Sequence, residues 1–291
     1  MEKDCICLIC HKPNLIYLDF LNTITDYDVV VIIDDENEIY YENNKELYDT
    51  RYPKLIIAQI NYNECIEFGF QLSNLTLNKI VSGWDKALYF YFKLNYNMLA
   101  IKNKYKNVWF IEDDVFFYNE ETLKNIDKRY INSDLLVKNV NKKEDNGWVW
   151  NLINIHTDEP YYNSLVCACR MSSKLLFYIF DYAEKYKQLF FIEALFPTIA
   201  MQNNLQCDFP EELDTIVYRK DWNYVEFTQL TNLIHTADNS STKLPVTDLN
   251  RAPLMGADSN LHWYNKTSIY HPIKNIELHK LLREALSQSK N

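Results

Sequence analysis

Apolar residues fall into two kinds of run along this chain. Short uninterrupted blocks such as CICLIC, DVVVII, LIIAQ and VWFIE alternate with longer stretches in which apolar residues recur every three or four positions. The blocks read as buried strands and the periodic stretches as helices with one apolar face. The pattern predicts strands at 4 to 11, 28 to 34, 55 to 59 and 107 to 112, with helical segments near 14 to 23, 84 to 95 and 120 to 129. In the helix from 84, Trp84, Ala87, Leu88, Tyr91 and Phe92 carry the spacing. Strands alternating with helices imply an α/β fold with a mostly parallel central sheet covered on both faces. Ligands of such sheets bind at the carboxyl ends of the strands.

The second half is more mixed. It predicts a strand at 134 to 140, a Trp-rich segment GWVWNLINIH, a strand at 164 to 171, a helix at 173 to 187 opened by Ser172 or Ser173, and a helix at 192 to 203. A short strand near 215 to 219 and a last helix from about 275 flank a polar stretch at 236 to 260. That stretch is too long for a plain connection and reads as a lid or a binding loop. No internal repeat or low-complexity tract interrupts the chain, and residues 1–291 read as one domain.

Composition narrows the chemistry. The 291 residues are 47% hydrophobic, ample for a core, and carry a formal charge of -10. A general attraction to nucleic acid or to an anionic membrane is therefore not expected, and a phosphorylated ligand would need a local cation. The N-terminal MEKDCICLICHKP is too short in apolar residues for a signal peptide, and no run reaches the length of a membrane span. The expectation is a soluble, cytoplasmic protein. Seven Cys is an odd number, and Cys5, Cys7, Cys167 and Cys169 alternate within strand-like runs, as small buried apolar residues do. CICLICH matches a haem or zinc pattern only formally: in a strand Cys5 and Cys7 face one side and Cys10 the other.

The four glycines, at 69, 83, 147 and 256, assemble neither a dinucleotide fingerprint nor a phosphate-cradling loop. A divalent ion gripped by carboxylates is the remaining way to hold a diphosphate. The acids stand where that requires them. VWFIEDD runs from an apolar strand straight into Glu112, Asp113 and Asp114, with Glu112 and Asp114 expected on one face and Asp113 on the other. DVVVIID likewise runs into Asp34 and Asp35. Three adjacent carboxylates repel one another, and desolvating them is costly unless something positive compensates. The competing reading is a strand-end turn, or acids preceding the helix at 120.

Four segments in order, WDKA at 84 to 87, VWFIEDDVFF, FIEALFPTIA at 191 to 200 and IYHPIK at 269 to 274, resemble metal-dependent glycosyltransferases of the GT-A fold, especially those of large DNA viruses and unicellular eukaryotes. The resemblance spans about 5 to 275. It implies a GT-A-like domain with a nucleotide-sugar-binding half at 1–130 and an acceptor-binding half at 131–291. EDD stands where the family has its DxD motif, so Asp114 would bind manganese or magnesium directly. Glu112 would touch the metal or the donor ribose, and Asp113 would join the donor-binding residues. The first acid is usually Asp, so Glu112 departs from the pattern. Asp34 or Asp35 would recognise base or ribose, and Asp85 with Lys86 would lie near the nucleotide; a solvated first helical turn is the bland alternative for that pair. His271 would complete metal or diphosphate binding, with His235 as its competitor.

Glu193 opens a hydrophobic helix, where burial should raise its pKa into a range useful for accepting the proton of an acceptor hydroxyl. The alternative is a charge complementing the helix dipole. The resemblance thus implies transfer of a sugar from a nucleotide donor, UDP-linked on family grounds, to a hydroxyl of a glycan or protein, with Glu193 favouring inversion. Trp148, Trp150, Trp222 and Trp263 would supply stacking faces for an acceptor. Two other readings stand beside it: a metal-dependent phosphodiesterase or nucleotidyltransferase, and an inactive relative that binds sugar or protein.

Overall fold

The structure is a computed structural model and describes residues 3–35, 38–75, 79–96, 104–144, 148–218 and 266–288. The expected stretch at 236 to 260, together with Trp222, His235 and Trp263, lies outside them.

Four apolar blocks form parallel strands: β1 Lys3–Cys10, β2 Asp28–Ile33, β3 Leu55–Gln59 and β4 Tyr105–Glu112. The sheet continues through β8 (Ala168–Ser172), β5 (Leu135–Leu136) and β9 (Cys207–Asp208) in the order β3-β2-β1-β4-β8-β5-β9. Only β8 runs against its neighbours, pairing antiparallel with β4 and β5. The α/β class and the mostly parallel sheet are as expected. A separate small hairpin joins β6 (Asn141–Lys142) to β7 (Tyr162–Asn163).

Alternation along each strand divides two cores. Cys5, Cys7, Val108 and Phe110 face the layer made by α4 (Gly83–Tyr96), α6 (Ser173–Tyr186) and α7 (Ile192–Gln202), with the short α3 (Tyr62–Glu67) alongside. Ile6, Leu8, Trp109 and Ile111 face α1 (Leu15–Leu21), α2 (Tyr40–Arg51) and α5 (Glu120–Arg129). Cys10 lies in the second core, as strand alternation requires, and all seven cysteines are free thiols. Among the described residues no helix is long and apolar enough to cross a membrane.

Several boundaries differ from expectation for identifiable reasons. The strand expected at 134 to 140 is only Leu135–Leu136, because the chain turns away once it has paired with β8 and β9. The strand expected near 215 to 219 is described only to residue 218, where a 3-10 turn at Glu211–Leu213 leads to one bridge between Ile216 and His271. Helices α2 and α3 escape the apolar-period reading, since each buries a single side chain, Tyr48 and Cys65. The final helix, α8 (Ile276–Gln288), packs Leu278 and Leu282 on Phe116 and Tyr270. Its Arg283 guanidinium lies 3.4 Å from the Phe20 ring centroid and donates to the Phe117 carbonyl at 3.0 Å.

Candidate active site

The carboxyl ends of β1, β2 and β4 lie level, with Cys10 opposite Ile33 and Ile9 opposite Glu112. Both acidic clusters therefore stand along one edge of the sheet. The start of α4 closes over that edge. Gly83 approaches so tightly that a Cβ there would sit 2.7 Å from the Ile9 side chain and 3.3 Å from Asp34 Cβ, so only glycine allows this approach.

Ser82 and Asp85 form a reciprocal cap: the Ser82 amide and hydroxyl donate to one Asp85 oxygen at 2.7 and 2.8 Å, and the Ser73 amide donates to the other at 3.2 Å. Asp85 is fully buried, and desolvation, offset by these donors, leaves its pKa near about 6. Its carboxylate secures the helix start rather than facing a ligand. The next residue, Lys86, is also buried and places Nζ 3.1 Å from Asp34 Oδ1, with Lys79 at 3.4 Å from the second Asp34 oxygen. The solvated first turn is thus overturned for both Asp85 and Lys86. Of the two acids after β2, Asp34 faces these lysines, whereas Asp35 is buried and accepts from the Tyr40 amide at the start of α2.

The three acids after β4 separate. Asp113 is exposed and turns toward the His11 amide at the end of β1; desolvation and the Asp114 charge raise its pKa to about 6. Glu112 accepts from the Trp84 indole at 2.7 Å, yet desolvation, with the neighbouring Asp114 charge, lifts its pKa to about 7. Asp114 faces His271. Two backbone contacts bring that histidine in: Phe116 pairs with Tyr270, and the Ile273 amide donates to the Asp114 carbonyl at 2.6 Å.

The imidazole is oriented by its environment. Nδ1 lies 3.0 Å from the Val217 carbonyl, which can only accept, so Nδ1 carries the proton. Burial lowers the pKa of His271 and the Asp114 charge opposes that shift. Nε2 stands 3.4 Å from Asp114 Oδ1, a buried oxygen that receives no hydrogen bond. Ligand atoms of Glu112, Cys167 and His271 all lie within 4.8 Å of one another. The chemistry of this three-residue set fits a divalent cation, with Asp114 reaching it through the imidazole side.

Glu193 reaches the same neighbourhood through a proline. Pro197, inside α7, has no N–H to bond the Glu193 carbonyl, which instead accepts from the Ser164 amide at 2.8 Å. This ties the first turn of α7 to the segment leading into β8. Burial alone raises the Glu193 carboxyl to about 7, and burial first, then the charges of Glu112, Asp114 and Glu193, pushes up the pKa of the Cys167 thiol. Trp148 stacks on Phe191, immediately before this turn, and Trp150 on Tyr161.

Cys167 is the residue that sequence reasoning missed as a site member. It is buried, as expected, but its carbonyl accepts from the Glu112 amide at 3.0 Å, which sets it directly across from the acidic cluster. The antiparallel course of β8 decides this, and no local pattern announces it.

No family model and no curated protein matches the chain. Among solved structures it is similar to 4-diphosphocytidyl-2C-methyl-D-erythritol synthase from Anaerococcus prevotii, with a TM-score of 0.39 and 12% identity over 72% of this chain and 88% of that one. It is also similar to the apo form of mouse xyloside xylosyltransferase 1, with a TM-score of 0.37 and 11% identity over 84% of this chain and 100% of that one. Likeness this slight does not identify the chain, and the functional reading has to come from the site's own geometry.

Proposed function

We propose that this protein is a divalent-cation-dependent glycosyltransferase that moves a sugar from a nucleotide-sugar donor, UDP-linked, to a hydroxyl acceptor. The observation that carries the reading is the cluster of Glu112, Cys167 and His271, with His271 Nε2 3.4 Å from the buried, unbonded Asp114 Oδ1, at the carboxyl edge of a parallel sheet. Asp114, Glu112 and His271 would hold the ion, manganese suiting a set that includes an imidazole better than magnesium does. The bound cation would stabilise the charge that develops on the departing diphosphate.

The protein's own groups divide the remaining work. Asp34, fixed between Lys86 and Lys79, presents acceptor lone pairs for base or ribose hydroxyls beside two ammonium groups suited to phosphate. Asp113, just after β4, and His11, just after β1, border the same edge. Asp35 and Asp85, occupied by backbone amides, position these elements without touching donor. Glu193, with a pKa near neutrality, is set to accept the acceptor's hydroxyl proton as the bond to the sugar forms. The half 131–291 supplies that side through α7, Trp148 and Trp150.

A panel of nucleotide sugars, assayed for donor hydrolysis with and without manganese, tests the reading. Release of nucleoside diphosphate only with the ion supports it; no turnover of any donor under either condition sinks it. Phosphodiesterases often hold two ions, whereas one cluster of cation-ligating side chains stands among the described residues. Cleavage of phosphodiesters by the metal-loaded protein would nonetheless transfer the site to that class.

A further inference from the structure

We propose that the Cys167 thiolate is a ligand of the same cation, which makes the centre selective for borderline and soft divalent ions, zinc and cobalt before manganese and magnesium. The proposal rests on the cation reading above and extends it to the identity of the ion.

Register places the thiol. β4 and β8 pair antiparallel with Ile111 opposite Ala168, and the bond from the Glu112 amide to the Cys167 carbonyl carries the ladder one step further. Residues facing one another across such a pair bring their side chains within about 5 Å. The Cys167 sulfur accordingly lies within 4.8 Å of a Glu112 carboxylate oxygen and a His271 ring nitrogen. Around a tetrahedral ion with metal–sulfur and metal–nitrogen bonds of about 2.3 and 2.1 Å, ligand atoms stand roughly 3.5 Å apart.

A second observation points to the same space independently. Asp114 Oδ1 is buried without a hydrogen bond and lies 3.4 Å from His271 Nε2, so the imidazole links this carboxylate to the Glu112 and Cys167 pair, while Asp114 itself stands outside the three-residue group. The imidazole is already locked as a ligand by Nδ1 donating to Val217, an arrangement usual for metal-bound histidine. Cys5, Cys7, Cys65 and Cys169 lie in the first apolar core and Cys10 in the second; Cys167 borders that second core too, but its sulfur also stands in the cluster with Glu112 and His271. On binding, the Cys167 S–H bond breaks, its proton passes to solvent, and the sulfur lone pair forms the bond to the ion. Mixed S, N and O donors favour zinc and cobalt, while an all-oxygen site would favour magnesium.

Cobalt titration of the full chain provides the test, because it reports ligand identity without reference to turnover. We expect visible ligand-field bands together with a near-ultraviolet thiolate-to-cobalt charge-transfer band. In Cys167→Ser the ligand-field bands persist, the charge-transfer band disappears, and zinc affinity falls by about tenfold or more while manganese affinity changes far less. Cys207→Ser, remote from the cluster, leaves the spectrum unchanged. Ligand-field bands without charge transfer in the wild type would overturn the thiolate ligand and leave the cation reading standing. Absence of any cobalt spectrum or thermal shift would remove both. Should Cys167→Ser not fold, the wild-type spectrum alone decides.

Discussion

Strands β4 and β8 carry two charged clusters that solve the same electrostatic problem in opposite ways. Midway along them, Asp127 accepts from Arg170 at 2.7 Å, from the Trp109 indole at 3.1 Å and from the Tyr27 hydroxyl at 2.5 Å. Arg170, fully buried, also donates to the carbonyls of Tyr130 and Ser133, leaving only Nε without a partner. At the strand ends, Glu112, His271 and Cys167 gather with Asp114 beside the imidazole, and among the described residues no ion pair joins an arginine or lysine to Glu112 or Asp114. The first cluster is closed by its own arginine; the second, among the described residues, is left open. A buried charge that the fold neutralises holds structure together, and one that it leaves open marks where a ligand contributes.

The comparison can be broken from either side. Asp114→Asn removes an anion from the open cluster and should lower turnover by about a thousandfold, abolish stabilisation by manganese, and leave the metal-free melting temperature unchanged or higher. A marked loss of metal-free stability would place Asp114 with the closed cluster instead. Arg170→Ala strands Asp127 in the core and should cost about 3–5 kcal/mol of folding stability in denaturant titrations; a loss below 1 kcal/mol would show that the two clusters are not distinct in kind.

Smaller changes sharpen it. Glu193→Gln should reduce kcat by about a hundredfold with KM for the donor nearly constant, and equal losses in affinity and rate would make it a binding group. Acidity supplies the finest test. Glu112 ionises near about 7 in the fold against its ordinary 4.5. Between those values the folded chain binds more protons than the unfolded one, so its contribution to stability is present at low pH and is lost as pH rises through 7. Melting curves of Glu112→Gln should be flatter across that window, and manganese should flatten those of the wild type; identical slopes in all three would contradict the assignment.

Much of this was legible in the chain. Continuous apolar blocks announce β1 to β4, because strands covered on both faces need no polar alternation, and Ser172 opens α6 with its side chain accepting from the Leu175 amide, as a cap should. VWFIEDD showed that the acids stand at a strand end. The segment YYENNKELYDTR hid α2, since a helix that buries only Tyr48 carries no apolar stripe. Long-range pairing hid the rest: nothing local says that β8 runs backwards, that Cys167 therefore meets Glu112, or that Pro197 hands the Glu193 carbonyl to Ser164.

The late position of His271 has a consequence for synthesis. Among the described residues every strand of the main sheet is encoded before residue 209, whereas the imidazole and the α8 clamp with Arg283 follow from 266 onward. A ribosome that stops early releases a polypeptide owning the whole sheet and both acids but neither the imidazole nor the clamp that seats it. Under the proposed cation reading, competence to capture the ion would double as proof that translation reached this far.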